Sequence, residues 1–325
     1  MTVPRIAVTA GDPGGVGPEV ALKALARAAS LPPAAWVLFA DPRVVEAEEM
    51  NLGVRLGASA WPPAGPAGPG IYLAPVAGSF GEPVAGRVAA ENGEASFRAF
   101  EAAVTEARAG RLEAVVTAPI SKAAWSLAGH PFRGHTDFLA RLYPEAVMSF
   151  WSDRLKVALL SHHLPLREAV AAVRKDALLA FFRSLHRSLG RVPGGPFRLL
   201  AAGLNPHAGE QGRLGREEEE EIRPAVEAAA AEGIPVSGPF PPDTVFLQAL
   251  EKKDAVVVAL YHDQGLIAFK LEAFATGVNV TLGLPFVRTS PDHGTAFDIA
   301  GQGVADARSM ERAARLAAEL SATGS

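Results

Sequence analysis

The sequence contains no cysteine, and this absence excludes several kinds of chemistry at once. Disulfide bonds, thiolate nucleophiles and cysteine-ligated zinc sites all require that residue. The charge is also nearly balanced, with 31 Lys and Arg against 35 Asp and Glu and a formal net charge of −4. A protein that binds nucleic acid or an anionic membrane through its overall charge needs an excess of basic residues. Any anionic ligand must therefore be bound by locally placed cations.

Uninterrupted apolar stretches that could cross a membrane are lacking too. The segment 56–81 carries no charge and is long enough by count, but five prolines and several glycines forbid a continuous helix in it. The first residues run directly into an apparent strand, without the basic and apolar regions of a signal peptide. We therefore expect a cytoplasmic protein. At 325 residues, 49% of them hydrophobic, the chain is long enough for about two domains.

Short apolar runs alternate along the chain with alanine-rich segments that carry charges. The runs have the length and composition of buried strands, and the alanine-rich segments are typical of helices. We expect strands at about 5–10, 35–40, 113–118, 155–161, 198–203 and 255–261, and helices at 19–29, 91–109, 166–188 and 216–232. This alternation predicts an α/β fold with mostly parallel sheets and helices on both faces. The acidic run 217–221 is interpreted as a solvated helix start.

Three histidines stand where predicted strands break into polar turns: His163, His207 and His262. In open parallel sheets, ligands bind at the carboxyl ends of the strands. Neutral imidazole is the commonest metal ligand in proteins, so one interpretation is a catalytic site for a divalent metal. The spacings match no local metal motif, however, and a histidine at a strand end is often a hydrogen-bonded turn residue instead. Both interpretations stay open at this point.

The chain opens as a strand, a glycine-rich turn and a helix, with the turn reading GDPGGVGPE. Its glycines would let backbone amides approach a ligand. Their spacing fits neither the dinucleotide-binding fingerprint nor the phosphate-binding P-loop. The turn either contacts the substrate or is a tight connection only.

Two cations lie inside apolar stretches, Lys270 in IAFKLEAF and Arg288 in LPFVRTS. An unpaired charge would be costly there, so we expect an anionic partner, and cationic with neutral donors suit a phosphate. The alternative is that both cations form exposed ion pairs of little energetic value. Asp243 is either a functional carboxylate or a helix N-cap. Asp263, directly after His262, is either a turn residue or a group that orients the imidazole.

Eight blocks carry a resemblance to a known family: GDPGGVGPE, TAPISK, GHTDFLA, LSHHLPL, GLNPHAGE, GPFPPDTVF, YHDQGLIAFK and GVNVTLGLPFVRTSPDHGTAFDIAG. Together they resemble the 4-hydroxythreonine-4-phosphate dehydrogenase family of vitamin B6 biosynthesis. The blocks run in the family's order from residue 10 to beyond residue 300. The closing DHGTAFDIAGQG is also similar to the segment of β-decarboxylating dehydrogenases that lines the adenosine end of NAD.

The resemblance implies an isocitrate-dehydrogenase-like two-domain fold. We expect one domain at 1–132 plus 301–325 and a second at 133–300, the latter carrying most metal and substrate residues. It also implies a homodimer with its active site at the subunit interface and metal ligands from both subunits. Neither nucleic acid nor a membrane is expected as a partner.

The resemblance further implies roles for individual residues. His163, His207 and His262 would bind one divalent metal per subunit, with zinc, magnesium and cobalt all compatible. The substrate would contact five residues: His135, Thr136, Lys270, Asn279 and Arg288. The NAD pocket would be lined by His293, Gly294 and Thr295. The candidates for the general base are Asp243 and Lys270, although Lys270 cannot easily act as base while it holds a phosphate.

The implied reaction is the NAD- and metal-dependent oxidation of 4-phosphohydroxy-L-threonine to 2-amino-3-oxo-4-(phosphooxy)butanoate. This product loses CO₂ to give 3-amino-2-oxopropyl phosphate, in the biosynthesis of pyridoxine 5'-phosphate. One alternative is a dehydrogenase of 4-phosphothreonate or 4-phosphoerythronate in sugar-acid catabolism. A second, of another class, is a phosphate acyltransferase, which needs neither NAD nor metal; the three histidines argue against it.

Overall fold

The structure is a computed structural model that describes residues 3–76 and 84–321. The chain forms two compact units, Met1–Pro144 with Leu284–Ser325 and Glu145–Gly283. From the sequence we expected 1–132 plus 301–325 and 133–300, so the segments 133–144 and 284–300 lie in the first unit instead. One physical reason is that strand Val287–Pro291 pairs with Ala114–Thr117 of the first unit. His135 and Arg288 therefore belong to the first unit.

The strands of the described residues are β1 (Arg5–Thr9), β2 (Ala35–Ala40), β3 (Ser59–Ala60), β4 (Gly70–Pro75), β5 (Ala114–Thr117), β6 (Val147–Trp151), β7 (Lys156–Leu159), β8 (Arg198–Ala202), β9 (Val236–Phe240), β10 (Ala255–Ala259), β11 (Val278–Leu282) and β12 (Val287–Pro291). The α-helices are α1 (Gly17–Ala26), α2 (Pro42–Leu52), α3 (Ala90–Arg108), α4 (Lys122–Leu127), α5 (His135–Leu142), α6 (Leu166–Ala171), α7 (Lys175–Leu189), α8 (Arg223–Ala231), α9 (Val245–Leu250), α10 (His262–Ala273) and α11 (Arg308–Ser321). Short helical turns of other types occur at Ala28–Ser30, Pro206–Glu210 and Glu218–Ile222.

The first unit contains a parallel sheet in the order β3-β4-β2-β1-β5-β12. Its central strands are buried along nearly their whole length, as their continuous apolar sequences require. Helix α3 packs beside β2, β1 and β5, and it buries Phe100 next to Trp125 of α4. Helix α11 packs against β12 and β5. The parallel arrangement directs the ends of β1, β5 and β12 to one edge of this sheet.

The second unit contains a mixed sheet in the order β11-β6-β7-β10-β8-β9. Strand β6 runs antiparallel to β11 and β7, whereas β7, β10, β8 and β9 are parallel. One face of this sheet packs under α9 and α10 around Phe246, Leu266 and Phe269. Because β7, β10 and β8 are parallel neighbours, the segments that follow them leave the sheet at the same edge.

The prediction of an α/β fold with mostly parallel sheets is confirmed. All six strands expected from apolar runs are present, as β1, β2, β5, β7, β8 and β10. The remaining strands were not predicted. Strand β9 is half-exposed and its sequence VSGPF has no continuous apolar run, whereas β4 and β6 are largely apolar and were missed all the same. Across the part of the chain that the structure describes, no helix is long and apolar enough to cross a membrane.

Candidate active site

Arg288 is the second residue of β12 and is almost completely buried, with 3% of its surface exposed. Its Nη2 donates a hydrogen bond to Oγ1 of Thr117, at the end of β5, over 2.7 Å. The same atom lies 3.4 Å from Nδ1 of His135. Burial lowers the pKa of Arg288 to about 10, so the guanidinium remains charged at neutral pH. A buried cation beside neutral donors is suited to an anionic ligand.

His135 is the first residue of α5, and its ring packs against Phe100 and Trp125 at centroid distances of 4.5 and 5.4 Å. Burial lowers the pKa of His135 well below its ordinary value, and the positive charges of Arg288 and Lys122 lower it further. The imidazole is therefore neutral at physiological pH. Its Nε2 is buried and has no hydrogen-bond partner among the described residues. The predicted substrate residues His135 and Arg288 are thus brought together, and Thr136 follows in the first turn of α5.

The glycine-rich turn after β1 is organised by Asp12, which is fully buried. Its carboxylate accepts hydrogen bonds from the amide of Gly14 at 2.8 Å and from that of Ser121 at 3.3 Å. Burial raises the pKa of Asp12 to about 6, although these two amides act in the opposite direction. Nothing in the sequence singles out this aspartate, since a turn residue in a glycine-rich segment is usually solvated.

The segment after β12 packs against this turn. The amide of Val16 donates to the carbonyl oxygen of Thr295 at 2.8 Å, and a Cβ placed on Gly15 would lie 2.5 Å from the same oxygen. Only glycine fits there without displacing the backbone. A Cβ placed on Gly294 would instead meet nothing within 4 Å. His293 is exposed, with its Nδ1 3.0 Å from the carbonyl oxygen of Gly294. The predicted NAD-binding residues therefore lie beside the glycine-rich turn.

In the second unit, two of the three predicted metal ligands lie side by side. His163 follows β7, His262 follows β10, and their ring centroids are 5.9 Å apart. His162 lies next to them with its Nδ1 buried and without a hydrogen-bond partner in the described chain. Burial lowers the pKa of His162, and its electrostatic interaction with His262 lowers it further. Neutral imidazole is the form that binds metal.

The backbone is strained at two of the predicted ligands. His163 has φ of 39° and His207 has φ of 54°, in the left-handed region that non-glycine residues seldom adopt. His207 lies in the turn Pro206–Glu210, where Ala208 and Glu210 also have positive φ. Strained residues of this kind cost on the order of 1–3 kcal/mol each and cluster at functional sites. Their presence at both histidines favours a functional over a simple turn role.

The turn that carries His207 is held by a buried carboxylate. Glu218 accepts hydrogen bonds from the amides of Leu204 and Asn205 at 2.8 and 2.7 Å, and from Nδ2 of Asn205 at 2.8 Å. Its side chain is fully buried. The interpretation of the acidic run as a solvated helix start is therefore wrong for Glu218, because the turn bends back over the helix start and supplies it with donors.

No group of three or more His, Asp or Glu residues is placed to hold a metal ion within the described residues of this one chain. His207 is exposed on its turn and does not complete a cluster with His163 and His262. The three-histidine site consequently remains a prediction.

Comparison with known proteins decides the family. The model of the family described as "Pyridoxal phosphate biosynthetic protein PdxA" matches residues 34–317. A protein of Beijerinckia indica subsp. indica named 4-hydroxythreonine-4-phosphate dehydrogenase is 44% identical over 97% of this chain and 94% of that protein. The chain belongs to the PdxA family. This membership confirms the resemblance found in the eight sequence blocks.

Two further relatives extend the comparison. The crystal structure of 4-hydroxythreonine-4-phosphate dehydrogenase from Klebsiella pneumoniae is 38% identical and superposes with a TM-score of 0.88, covering 98% of both chains. A protein of Salmonella typhimurium named D-threonate 4-phosphate dehydrogenase is 39% identical over 98% of this chain and 100% of that protein. Similarity of this degree therefore extends to dehydrogenases named for two different phosphorylated acids.

The remaining predicted residues of this PdxA-family chain lie in the second unit. Lys270 is half-buried on α10, and Asn279 is half-buried on β11, where it pairs with Phe150 of β6. Asp243 is exposed and precedes α9, whose N-cap is Thr244. The alternative interpretation of Asp243 as an N-cap is therefore wrong.

Proposed function

We propose that this chain is an NAD- and divalent-metal-dependent dehydrogenase that oxidises 4-phosphohydroxy-L-threonine to 2-amino-3-oxo-4-(phosphooxy)butanoate. Loss of CO₂ from that product gives 3-amino-2-oxopropyl phosphate. The observation that carries the proposal is the identity of 44% over nearly the full length to a protein named for this activity. The buried Arg288 beside the neutral His135 supports a phosphorylated substrate, because a guanidinium binds phosphate through charge and directed hydrogen bonds.

The second candidate substrate is 4-phosphothreonate or 4-phosphoerythronate, favoured by the relative named D-threonate 4-phosphate dehydrogenase. Both substrates share the phosphate, the carboxylate and the hydroxyl group that is oxidised. They differ in the amino group of 4-phosphohydroxy-L-threonine. Arg288 and His135 can bind the phosphate of either substrate in the same way.

The protonation of His262 suits the binding of a divalent metal. Oδ1 of Asp263 lies 2.6 Å from Nδ1 of His262. An ionised carboxylate can only accept a hydrogen bond, so Nδ1 carries the proton and Nε2 presents a lone pair. His262 is therefore in the tautomer that a metal ligand requires. We propose His163, His207 and His262 as the ligands, with zinc, magnesium or cobalt compatible with them.

A bound divalent cation supplies a Lewis acid that stabilises negative charge on the substrate oxygen during oxidation and decarboxylation. Bound NAD⁺ supplies the hydride acceptor, and we propose that His293, Gly294 and Thr295 line its pocket. The open space at Gly294 and the close packing of Thr295 on the glycine-rich turn support this assignment.

The chain's own residues bind and orient the substrate. We propose that His135, Thr136, Lys270, Asn279 and Arg288 contact it, with Arg288 holding the phosphate. The proton of the substrate hydroxyl needs a base, for which Asp243 and Lys270 are the candidates. Lys270 serves as base only where it does not also hold the phosphate.

We propose that the working form is a homodimer whose active site draws metal ligands from both subunits. Helix α10 supports this, since Ile267, Leu271 and Phe274 recur at intervals of four and three residues and are all exposed. Such an apolar stripe on a helix surface is typical of an interface. Because His262 begins the same helix, a second copy packed on the stripe would lie close to the metal ligands.

The test of the proposed function is a steady-state assay that follows reduced nicotinamide with both phosphorylated acids as substrates. Turnover of 4-phosphohydroxy-L-threonine with a higher kcat/KM than of 4-phosphothreonate is the expected result. The opposite preference would assign the chain to the second candidate. No nicotinamide reduction with either acid, in the presence of divalent metal, would refute the dehydrogenase proposal.

A further inference from the structure

Lys122 lies beside the imidazole of His135 and has no role in the function proposed above. It is the first residue of α4, and a Cβ placed on Gly134 would lie 3.4 Å from its Cε. The lysine side chain therefore crosses the residue that immediately precedes His135. It is exposed and makes no hydrogen bond or ion pair with any residue that the structure describes.

The hydrogen bonding of His135 defines which of its nitrogens carries the proton. Nη2 of Arg288 lies 3.4 Å from Nδ1 of His135, and a guanidinium can only donate. Nδ1 must therefore accept, so that the proton of the neutral ring is on Nε2. This N–H group is buried without an acceptor. A buried donor that lacks an acceptor is costly, and a ligand oxygen placed beside it would remove that cost.

The charges near the ring have one sign. The charged groups that act on His135 are Arg288 and Lys122, both cationic. A phosphate monoester carries a charge of about −1.5 to −2 at neutral pH, whereas a carboxylate carries −1. Two cations and a neutral N–H donor therefore match a phosphate better than a carboxylate.

The turn before Lys122 is fixed in place by a buried group. Asp12 accepts the amide hydrogen of Ser121, and Oγ of Ser121 in turn accepts the amide hydrogen of Ala124 at 3.1 Å. These bonds determine where α4 begins and so where the lysine side chain starts. The exposed ammonium group is consequently presented from a rigid backbone.

We propose that the ammonium group of Lys122 binds the phosphate group of the substrate together with the guanidinium of Arg288 and Nε2 of His135. The proposal rests on the proposed function for the identity of the phosphorylated substrate. It extends that function by one cation outside the predicted set of substrate residues. Its chemistry requires a phosphate monoester or inorganic phosphate and no metal.

The test uses inorganic phosphate as the probe, because its binding does not depend on catalysis. The variants are Lys122→Met, which keeps the length but removes the charge, and Lys122→Arg, which keeps the charge. Lys175→Met is the matched control, since Lys175 is also an exposed first residue of a helix, α7. Titration calorimetry gives the phosphate Kd, and NMR of the His135 imidazole reports whether phosphate reaches Nε2.

We expect Lys122→Met to raise the phosphate Kd about tenfold, the usual scale for one charge-assisted contact. Lys122→Arg should stay within about threefold of the unchanged protein, and Lys175→Met should have no effect. The KM for the phosphorylated substrate should follow the same order. The His135 signal should move on addition of phosphate, and it should need more phosphate in Lys122→Met.

Equal phosphate affinity in Lys122→Met and Lys175→Met overturns the proposal, even where the enzyme is fully active. Failure of the unchanged protein to bind phosphate at His135 also overturns it. Phosphate binding that depends on Lys122, combined with no turnover of either phosphorylated acid, would support the site and refute the proposed reaction instead. The two failures are therefore distinguishable.

Discussion

Oδ1 of Asp263 lies 2.6 Å from Nδ1 of His262, the residue before it in the chain. The carboxylate of Asp263 is largely exposed. The contact keeps the proton of the imidazole on Nδ1 and leaves the lone pair of Nε2 available. A carboxylate in this position also raises the basicity of the ring as a ligand. Asp263 thus acts through His262, which matches one of the two interpretations that the sequence left open.

Replacement of Asp263 by Asn should weaken metal binding without loss of the fold. The amide no longer provides a charged acceptor for Nδ1, so the tautomer and orientation of His262 become less well defined. Loss of such a partner typically costs about 10–100-fold in metal affinity. Chelator competition gives the metal Kd. The control is Glu272→Gln on the same helix, where the carboxylate pairs with Arg154 at 2.9 Å; equal effects of the two variants would contradict the assignment.

Mixed assemblies test whether two subunits share a metal site. His207→Ala and His262→Ala should each be inactive alone. Co-expressed with different tags, they should recover up to about a quarter of normal activity, since half of the dimers are mixed and each mixed dimer has one intact site. The control pair is His163→Ala with His262→Ala. These rings lie side by side in one chain, so no recovery is expected from them. Absence of recovery in both mixtures would place all ligands in a single subunit.

The sequence predicted the central strands and the residues that follow them, because buried parallel strands leave continuous apolar runs. It could not show that Arg288 pairs with Thr117 and approaches His135, since these contacts depend on β12 lying beside β5. Local spacing likewise gave no sign that Glu218 is buried, because its donors come from a turn that folds back onto it. Asp12 was missed for the same reason: the amide of Ser121 is far away in the sequence.

Replacement of Arg288 by Met should reduce binding of phosphorylated substrates selectively. Methionine keeps much of the buried volume but removes the charge and the donors. Loss of a hydrogen bond to a charged group costs about 1.5–3 kcal/mol, so the KM for the phosphorylated acid should rise about ten- to a hundredfold. The KM for its dephosphorylated analogue should barely change. Arg154→Met, an exposed arginine in the second unit, serves as the control. Similar increases for both substrates would argue against a phosphate contact.

Asp12 should make stability depend on pH in a direction opposite to most carboxylates. Burial raises its pKa from 3.8 to about 6, so the folded chain favours the protonated form. Its contribution to stability is therefore fully present below about pH 4 and is lost as the pH rises through about 6. The free energy of unfolding of the unchanged protein, minus that of Asp12→Asn, should fall between about pH 4 and pH 6 by at most about 3 kcal/mol and then level off. Urea denaturation at each pH measures it. A difference that rises with pH would show that the carboxylate is stabilised by its two amide donors instead.

Glu218 should be the carboxylate of the acidic run that matters for stability and for the position of His207. In Glu218→Gln, one oxygen still accepts an amide hydrogen, but the new NH₂ group faces donors from Leu204 or Asn205. Leaving such a buried group without a suitable partner costs about 1–3 kcal/mol. Glu219→Gln is the matched control, because its exposed ion pair with Arg223 contributes at most about 1 kcal/mol. Thermal unfolding should separate the two variants by several degrees.

Since the left-handed turn at His207 rests on Glu218, metal affinity should also fall in Glu218→Gln and stay unchanged in Glu219→Gln. Loss of stability with unaltered metal affinity would mean that His207 does not depend on this turn for its position.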